Sequence, residues 1–208
     1  MEALMFSDNS PYRKSFKRVA DKRNLEDALL GFLKGRKLPK VKKENFERVK
    51  GVVRYAREKG VKVRVIWHEK INGRKSKDAI KALGVEPDKV LKVVVFVSEN
   101  GKPVIGVVES TRKVNTRKLE VVSGLKGLRL ARPREVKEIT GYEPGGVPPF
   151  ALKGEVPVYV DRRVMKHDLV YPSAGSPFAG MEVKPEDLVK LAGAKVADIS
   201  GGKPIKEK

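Results

Sequence analysis

Val90-Leu91-Lys92-Val93-Val94-Val95-Phe96-Val97-Ser98-Glu99-Asn100-Gly101-Lys102-Pro103-Val104-Ile105-Gly106-Val107-Val108 is the stretch that decides the fold. Val90 to Val97 is apolar apart from Lys92, and Pro103 to Val108 resumes the strand pattern. Asn100-Gly101 stands between them, where a tight turn needs residues that accept positive φ. A β-hairpin is predicted, which points to an antiparallel sheet.

Working outward, Phe46, Val49, Val52, Val53 and Ala56 follow helical spacing from Glu44 onward, with Gly60 placed to end the helix. Val61, Val63 and Val65 then alternate with Lys62 and Arg64, the period of a half-buried strand ending near Trp67 and His68. Ser76 can cap a helix over 77–83, closed by Gly84. Beyond the hairpin, helices are expected at 116–122 behind Asn115, at 133–139 with Pro133 in the first turn, and at 185–191 with Pro185 likewise and Gly193 after it. Strands fit 155–160, 169–172, 181–183 and 195–199. Helices interspersed with short strands and a hairpin give an α+β class: a mixed, largely antiparallel sheet packed by helices.

The chain has 208 residues, with 46 Lys and Arg against 26 Asp and Glu, a formal charge of +20. Solubility asks for a net charge of only about 2–8, so the one-sided excess points to a polyanionic partner, nucleic acid first. A heat-adapted surface would explain the abundance of charge but not its sign. Residues 1–44 form a basic extension in which Arg13, Lys14, Lys17, Arg18, Lys37, Lys40, Lys42 and Lys43 are candidate RNA contacts, around a short helix expected after Asn24. The same run also reads as a solvated tail. The main domain is expected over 45–200 and a frayed tail over 201–208.

There is no cysteine, which removes thiolate nucleophiles, disulfides and Cys-based zinc sites, and two histidines cannot build a multi-histidine metal centre. No metal or cofactor is expected. No apolar run approaches the ~20 residues of a membrane span, and the N-terminus lacks the apolar core of a signal peptide. The expected location is therefore the cytoplasm, without a membrane partner.

Three features could carry chemistry. Lys92 interrupts the most apolar strand, where it is either functional or turned to solvent on an edge. In Thr140-Gly141-Tyr142-Glu143-Pro144-Gly145-Gly146-Val147-Pro148-Pro149-Phe150, paired glycines let backbone approach a ligand and prolines stiffen the loop, though such loops are also plain turns. Tyr171-Pro172-Ser173-Ala174-Gly175-Ser176 is a small-residue turn of the same dual character. His68 and His167 read as non-catalytic, His167 lying in a charged, solvated turn.

The ordered set of motifs resembles the YbaK-like aminoacyl-tRNA deacylases, which include the editing domain inserted in bacterial prolyl-tRNA synthetases. The matching pieces are Ala82-Leu83-Gly84-Val85, Val90-Leu91-Lys92, Leu128-Arg129-Leu130-Ala131, Ile139-Thr140-Gly141-Tyr142 with Gly145 to Phe150, Pro157-Val158-Tyr159-Val160-Asp161, Ser173 to Ser176, Pro185-Glu186-Asp187-Leu188 and Ala197-Asp198-Ile199-Ser200. The resemblance implies a barrel-like sheet surrounded by helices and a trans-editing hydrolase acting on a tRNA mischarged with a small amino acid. It implies that Lys92 is required for activity, that Gly145, Gly146, Val147, Pro148 and Pro149 shape the aminoacyl pocket, and that Ser173, Ala174, Gly175 and Ser176 line the other wall. Trp67 or His68 stands nearest the position beside the pocket at the end of the first strand. Pro172 and Ser173, and Pro177-Phe178-Ala179 after the turn, depart from the family pattern and imply a remodelled pocket. Two other readings stand beside this one. One is a non-catalytic tRNA- or RNA-binding protein of the same fold; the other, compatible with the enzyme, has the protein dock on an aminoacyl-tRNA synthetase.

Overall fold

The computed structural model describes residues 43–67, 80 and 83–201. The expected helix after Asn24, the cap at Ser76, His68, the tail beyond Gly201, and all the candidate RNA contacts except Lys43 lie outside these residues, while Gly201, expected in the tail, pairs in a strand.

Helix α1 spans Lys43–Glu58 and buries Val49, Val52 and Ala56, the stripe its spacing predicted. A short extended stretch leads into strand β1 (Arg64–Trp67). The hairpin forms as read, with β2 at Leu91–Val97 and β3 at Pro103–Glu109. Its register sets Lys92 opposite Val108 and Val95 opposite Ile105. The turn needs Gly101 at φ 75.

The chain continues through β4 (Lys113–Val114), α2 (Thr116–Ser123), β5 (Arg129–Leu130), α3 (Pro133–Thr140), β6 (Val158–Asp161), β7 (Ser173–Ser176), β8 (Ala179–Glu182), α4 (Pro185–Ala192), β9 (Lys195–Ala197) and β10 (Ser200–Gly201). The Asn115 side chain accepts from the Lys118 N–H and so caps α2. Three sheets result, in the orders β1-β8-β7, β10-β4 and β5-β2-β3-β6-β9. Most pairings are antiparallel, but β3-β6 and β6-β9 are parallel. The class is mixed α+β, as expected, and the five-stranded sheet stays open, with β5 and β9 at its edges.

Alternation along the hairpin feeds two cores on opposite faces. Leu91, Val95, Val97, Ile105 and Val107 join the α1 stripe and Leu188 of α4 in the larger core. Phe96, Val104 and Val108 pack with Leu119 of α2 and Ile199 in the smaller one. Leu119 is completely buried, so truncation to Ala costs about 2–5 kcal/mol.

Three expectations are corrected. Residues 169–172 form no continuous strand; Val170 and Tyr171 make isolated bridges, to Val183 and Val90, and Pro172 has no N–H to extend a ladder. Ser173 to Ser176 is a strand with an irregular register against β8 rather than a turn. The strand expected over 195–199 splits into β9 and β10 around Asp198. There the buried Asp161 carboxylate accepts from the Ile199 and Ser200 N–H groups, at 2.9 and 2.7 Å, and takes over the ladder's role.

Candidate active site

A cleft of about 50 Å³ lies where β7, β8 and the chain before β2 converge. Gly145, Ser173 and Ser176 line it, together with Leu83, Val90, Leu91, Tyr171, Pro172, Pro177, Ala179 and Gly180. Residues from two motifs far apart in the sequence thus meet in one cleft. The loop reaches this wall because Gly145 adopts φ 84 and the Gly146 N–H closes a turn on the Glu143 carbonyl. Gly146 through Phe150 are buried, so the loop is a packed plug rather than a flap. A Cβ on Gly146 would stand 2.8 Å from Pro177 Cδ and 3.0 Å from the Ser176 carbonyl carbon, so loop backbone touches strand backbone here.

Strand β7 is locked by its own hydroxyls. Ser173 Oγ donates to the Ser176 carbonyl and accepts from the Gly175 N–H, both at 3.3 Å, and Ser176 Oγ accepts from the Phe178 N–H at 3.2 Å. Gly175 takes φ 99 and lies under α1, where a Cβ would come within 3.0 Å of Val52 Cγ2. Ala174 is completely buried in the larger core.

The other expected residues sit elsewhere. Pro149 lines a second, open cleft of about 1020 Å³ with Tyr55, Phe150 and Leu191, and Val147 is buried in the larger core. Trp67 is half-buried and stacks on Phe46, ring centroids 6.0 Å apart, rather than lining the small cleft. Lys92 is half-buried on the face shared with Val94 and Phe96, and its Nζ donates to the Arg112 carbonyl at 3.0 Å. Its neighbours Val90 and Leu91 line the cleft, but Lys92 itself is not among the lining residues. Lys43 is exposed at the start of α1.

Two groups were missed. Tyr171 donates to Glu182 Oε2 at 3.0 Å, and Arg64 pairs with the same carboxylate across β1 and β8. Burial, and then the hydrogen bond to Glu182, push the Tyr171 phenol up to about 12. His167, read as solvated, has 12% of its side chain exposed, and its Nε2 stands 3.1 Å from Oε1 of the buried Glu109. The one signal available was Glu109 itself, a carboxylate directly after an apolar run. Among the described residues no group of His, Cys, Asp or Glu could hold a metal ion.

Fold and cleft together define a class: a mixed α+β domain with a small pocket where glycine, serine and proline segments meet apolar side chains. The chain belongs to the aminoacyl-tRNA editing domain family, whose pattern matches residues 71–191. It is 27% identical over 119 residues, 57% of this chain and 73% of the relative, to an Enterococcus faecalis protein named provisionally as the Cys-tRNA(Pro)/Cys-tRNA(Cys) deacylase EbsC. It is 31% identical over 118 residues to Bacillus subtilis YwhH, 57% and 74% of the two chains. Among solved structures it is similar to hypothetical protein APE2540, with a TM-score of 0.68 and 32% identity over 73% of this chain and 99% of that one. No described helix is long and apolar enough to cross a membrane.

Proposed function

We propose that the protein hydrolyses the ester of a tRNA mischarged with a small amino acid of the Ala, Cys or Ser class, acting in trans on a tRNA such as that for proline. The observation that carries this reading is the 50 Å³ cleft between Gly145 and Ser173–Ser176. At about 10–15 Å³ of such space per water-sized probe, it admits about three to five such volumes, enough for a side chain of one or two heavy atoms. A rigid wall excludes larger side chains sterically and discriminates poorly against smaller ones. The relative named for Cys-tRNA deacylation fits this size class.

An aminoacyl ester is already activated, so positioning and carbonyl polarisation suffice. Water attacks the carbonyl carbon, the bond to the ribose oxygen breaks, and the amino acid leaves with the water oxygen while the terminal ribose regains its hydroxyl. Backbone polar groups at Gly145 and along Ser173–Ser176 orient the carbonyl and the water. Lys92 holds the terminal adenosine or its phosphate, and substrate hydroxyls carry the proton. The serine hydroxyls are engaged with backbone groups, which supports water rather than a side chain as nucleophile. The +20 charge draws in tRNA, with Arg13, Lys14, Lys17, Arg18, Lys37, Lys40, Lys42 and Lys43 as proposed contacts; docking on a synthetase is compatible with this.

Lys92→Ala tests the assignment. It is expected to keep affinity for uncharged tRNA within a modest factor and to lose most deacylation; full activity removes Lys92 from the site. Steeply salt-dependent tRNA binding by the wild-type protein without ester cleavage would favour the binding-only reading.

A further inference from the structure

Lys92 is held from the far end of β3. Its Nζ donates to the Arg112 carbonyl, and the Arg112 N–H closes a turn on the Glu109 carbonyl at 3.0 Å. That turn is stapled to the chain leading into β2, since the Ser110 N–H donates to the Val90 carbonyl at 2.7 Å and Ser110 Oγ to the Pro87 carbonyl at 2.5 Å. At its centre lies the Glu109 carboxylate, 8% exposed, with Arg112 Nε 3.5 Å from one oxygen and His167 Nε2 3.1 Å from the other.

His167 comes from a separate segment of the chain. It follows the 3₁₀ turn Val164–Lys166 and precedes Tyr171, which lines the cleft and leads into β7. The two halves are tied again where the Leu91 N–H donates to the Tyr171 carbonyl at 3.1 Å. A buried carboxylate needs such partners, because leaving it without them carries its full desolvation cost.

We infer that the Glu109–His167 pair is a positioning strut that, through the Arg112 turn, fixes the Lys92 ammonium relative to the segment carrying Tyr171. The inference rests on the proposed role of Lys92. Neither Glu109 nor His167 lines the cleft, so neither touches the acyl group. His167 acts on Glu109, Glu109 fixes the Arg112 turn, and the turn's carbonyl orients Lys92. Displacements of about 1 Å in a positioned group cost up to 100-fold in rate, so loss of the strut should lower kcat about 10- to 100-fold and leave KM for charged tRNA within about twofold.

The test uses the full chain as wild type, His167→Leu, His167→Gln and Glu109→Gln. The first readout is the rate at which an amine-acylating reagent labels Lys92, followed by mass spectrometry, which does not depend on deacylation. Labelling should quicken in His167→Leu and Glu109→Gln and return towards the wild-type rate in His167→Gln, whose amide N–H can reach the carboxylate. The second is the kcat and KM split, with His167→Leu repeated in a Lys92→Ala background, where it should change deacylation no further. Unchanged Lys92 labelling in His167→Leu overturns the strut. If His167→Leu fails to fold, unchanged labelling in Glu109→Gln does so. Changed labelling with undiminished turnover in both Lys92→Ala and His167→Leu leaves the strut standing and overturns Lys92 as a functional group, so the two failures are distinguishable.

Discussion

Gly146→Ala puts one methyl group where the loop backbone meets the strand wall. The new Cβ lies 2.8 Å from Pro177 Cδ, 2.9 Å from Pro177 N and 3.0 Å from the Ser176 carbonyl carbon, whereas ordinary contact begins at 3.4 Å. Two of these atoms are backbone, and the third belongs to a proline ring with no rotamer to escape into. Loop and β7 must therefore part by about 0.6 Å, an overpacking strain of about 1–3 kcal/mol. At about 2–4 °C per kcal/mol for a chain of this size, the melting temperature falls by several degrees. The displaced atoms adjoin the two walls of the cleft, so deacylation should fall by about tenfold or more. Catalysis and stability should drop together. Differential scanning calorimetry and a deacylation assay on one preparation check both. Unchanged melting with unchanged turnover would refute the packing of Gly146 on Ser176–Pro177 and with it the loop as a pocket wall.

Gly180→Ala brings a Cβ to 2.9 Å from Leu83 Cδ2, the mobile end of a side chain. It should cost less stability than Gly146→Ala and narrow the cleft, visible as a lower turnover ratio for a Cys or Ser ester against an Ala ester. Asp161→Asn removes the charge that accepts from Ile199 and Ser200 N–H groups, and chemical denaturation should show a loss of about 2–3 kcal/mol with KM unchanged. Tyr171 has its folded-state phenol raised from 10.0 to about 12, so its contribution is complete below pH 10 and lost as pH rises through about 12. Tyr171→Phe should therefore flatten the fall in melting temperature over that window, and near-ultraviolet titration should lack one late-ionising tyrosine.

The hairpin and the α1 stripe were legible because each rests on a long periodic signal: the apolar run of β2, and Val49, Val52 and Ala56 at helical spacing. Helices α2 and α4 were legible from their caps, Asn115 and Gly193. Strands β4, β5 and β10 have two residues each, too few for any period to show. Strand β7 misled because Ser-Ala-Gly-Ser has no β-branched residue; its pairing with β8 and the α1 surface over Gly175 hold it extended. In the site, the two loop segments were readable as close-packing backbone, and five of their residues, Gly145, Tyr171, Pro172, Ser173 and Ser176, meet in the cleft. Trp67 was not placeable, since a ring at a strand end can turn to either side, and here it turns to Phe46. The Glu109–His167 pair joins residues 58 positions apart, a separation no local pattern encodes.

The proposed function turns on whether the small cleft between the Gly145 loop and β7 cleaves the esters of small amino acids on tRNA. A panel of tRNAs charged with amino acids from Ala, Ser and Cys up to Leu and Phe, assayed for ester hydrolysis with uncharged tRNA binding in parallel, tests it most directly. Rapid hydrolysis is expected for the Ala, Ser and Cys esters alone, at similar tRNA affinity throughout. Hydrolysis that ignores side-chain size, or tight binding with no hydrolysis of any ester, would contradict it.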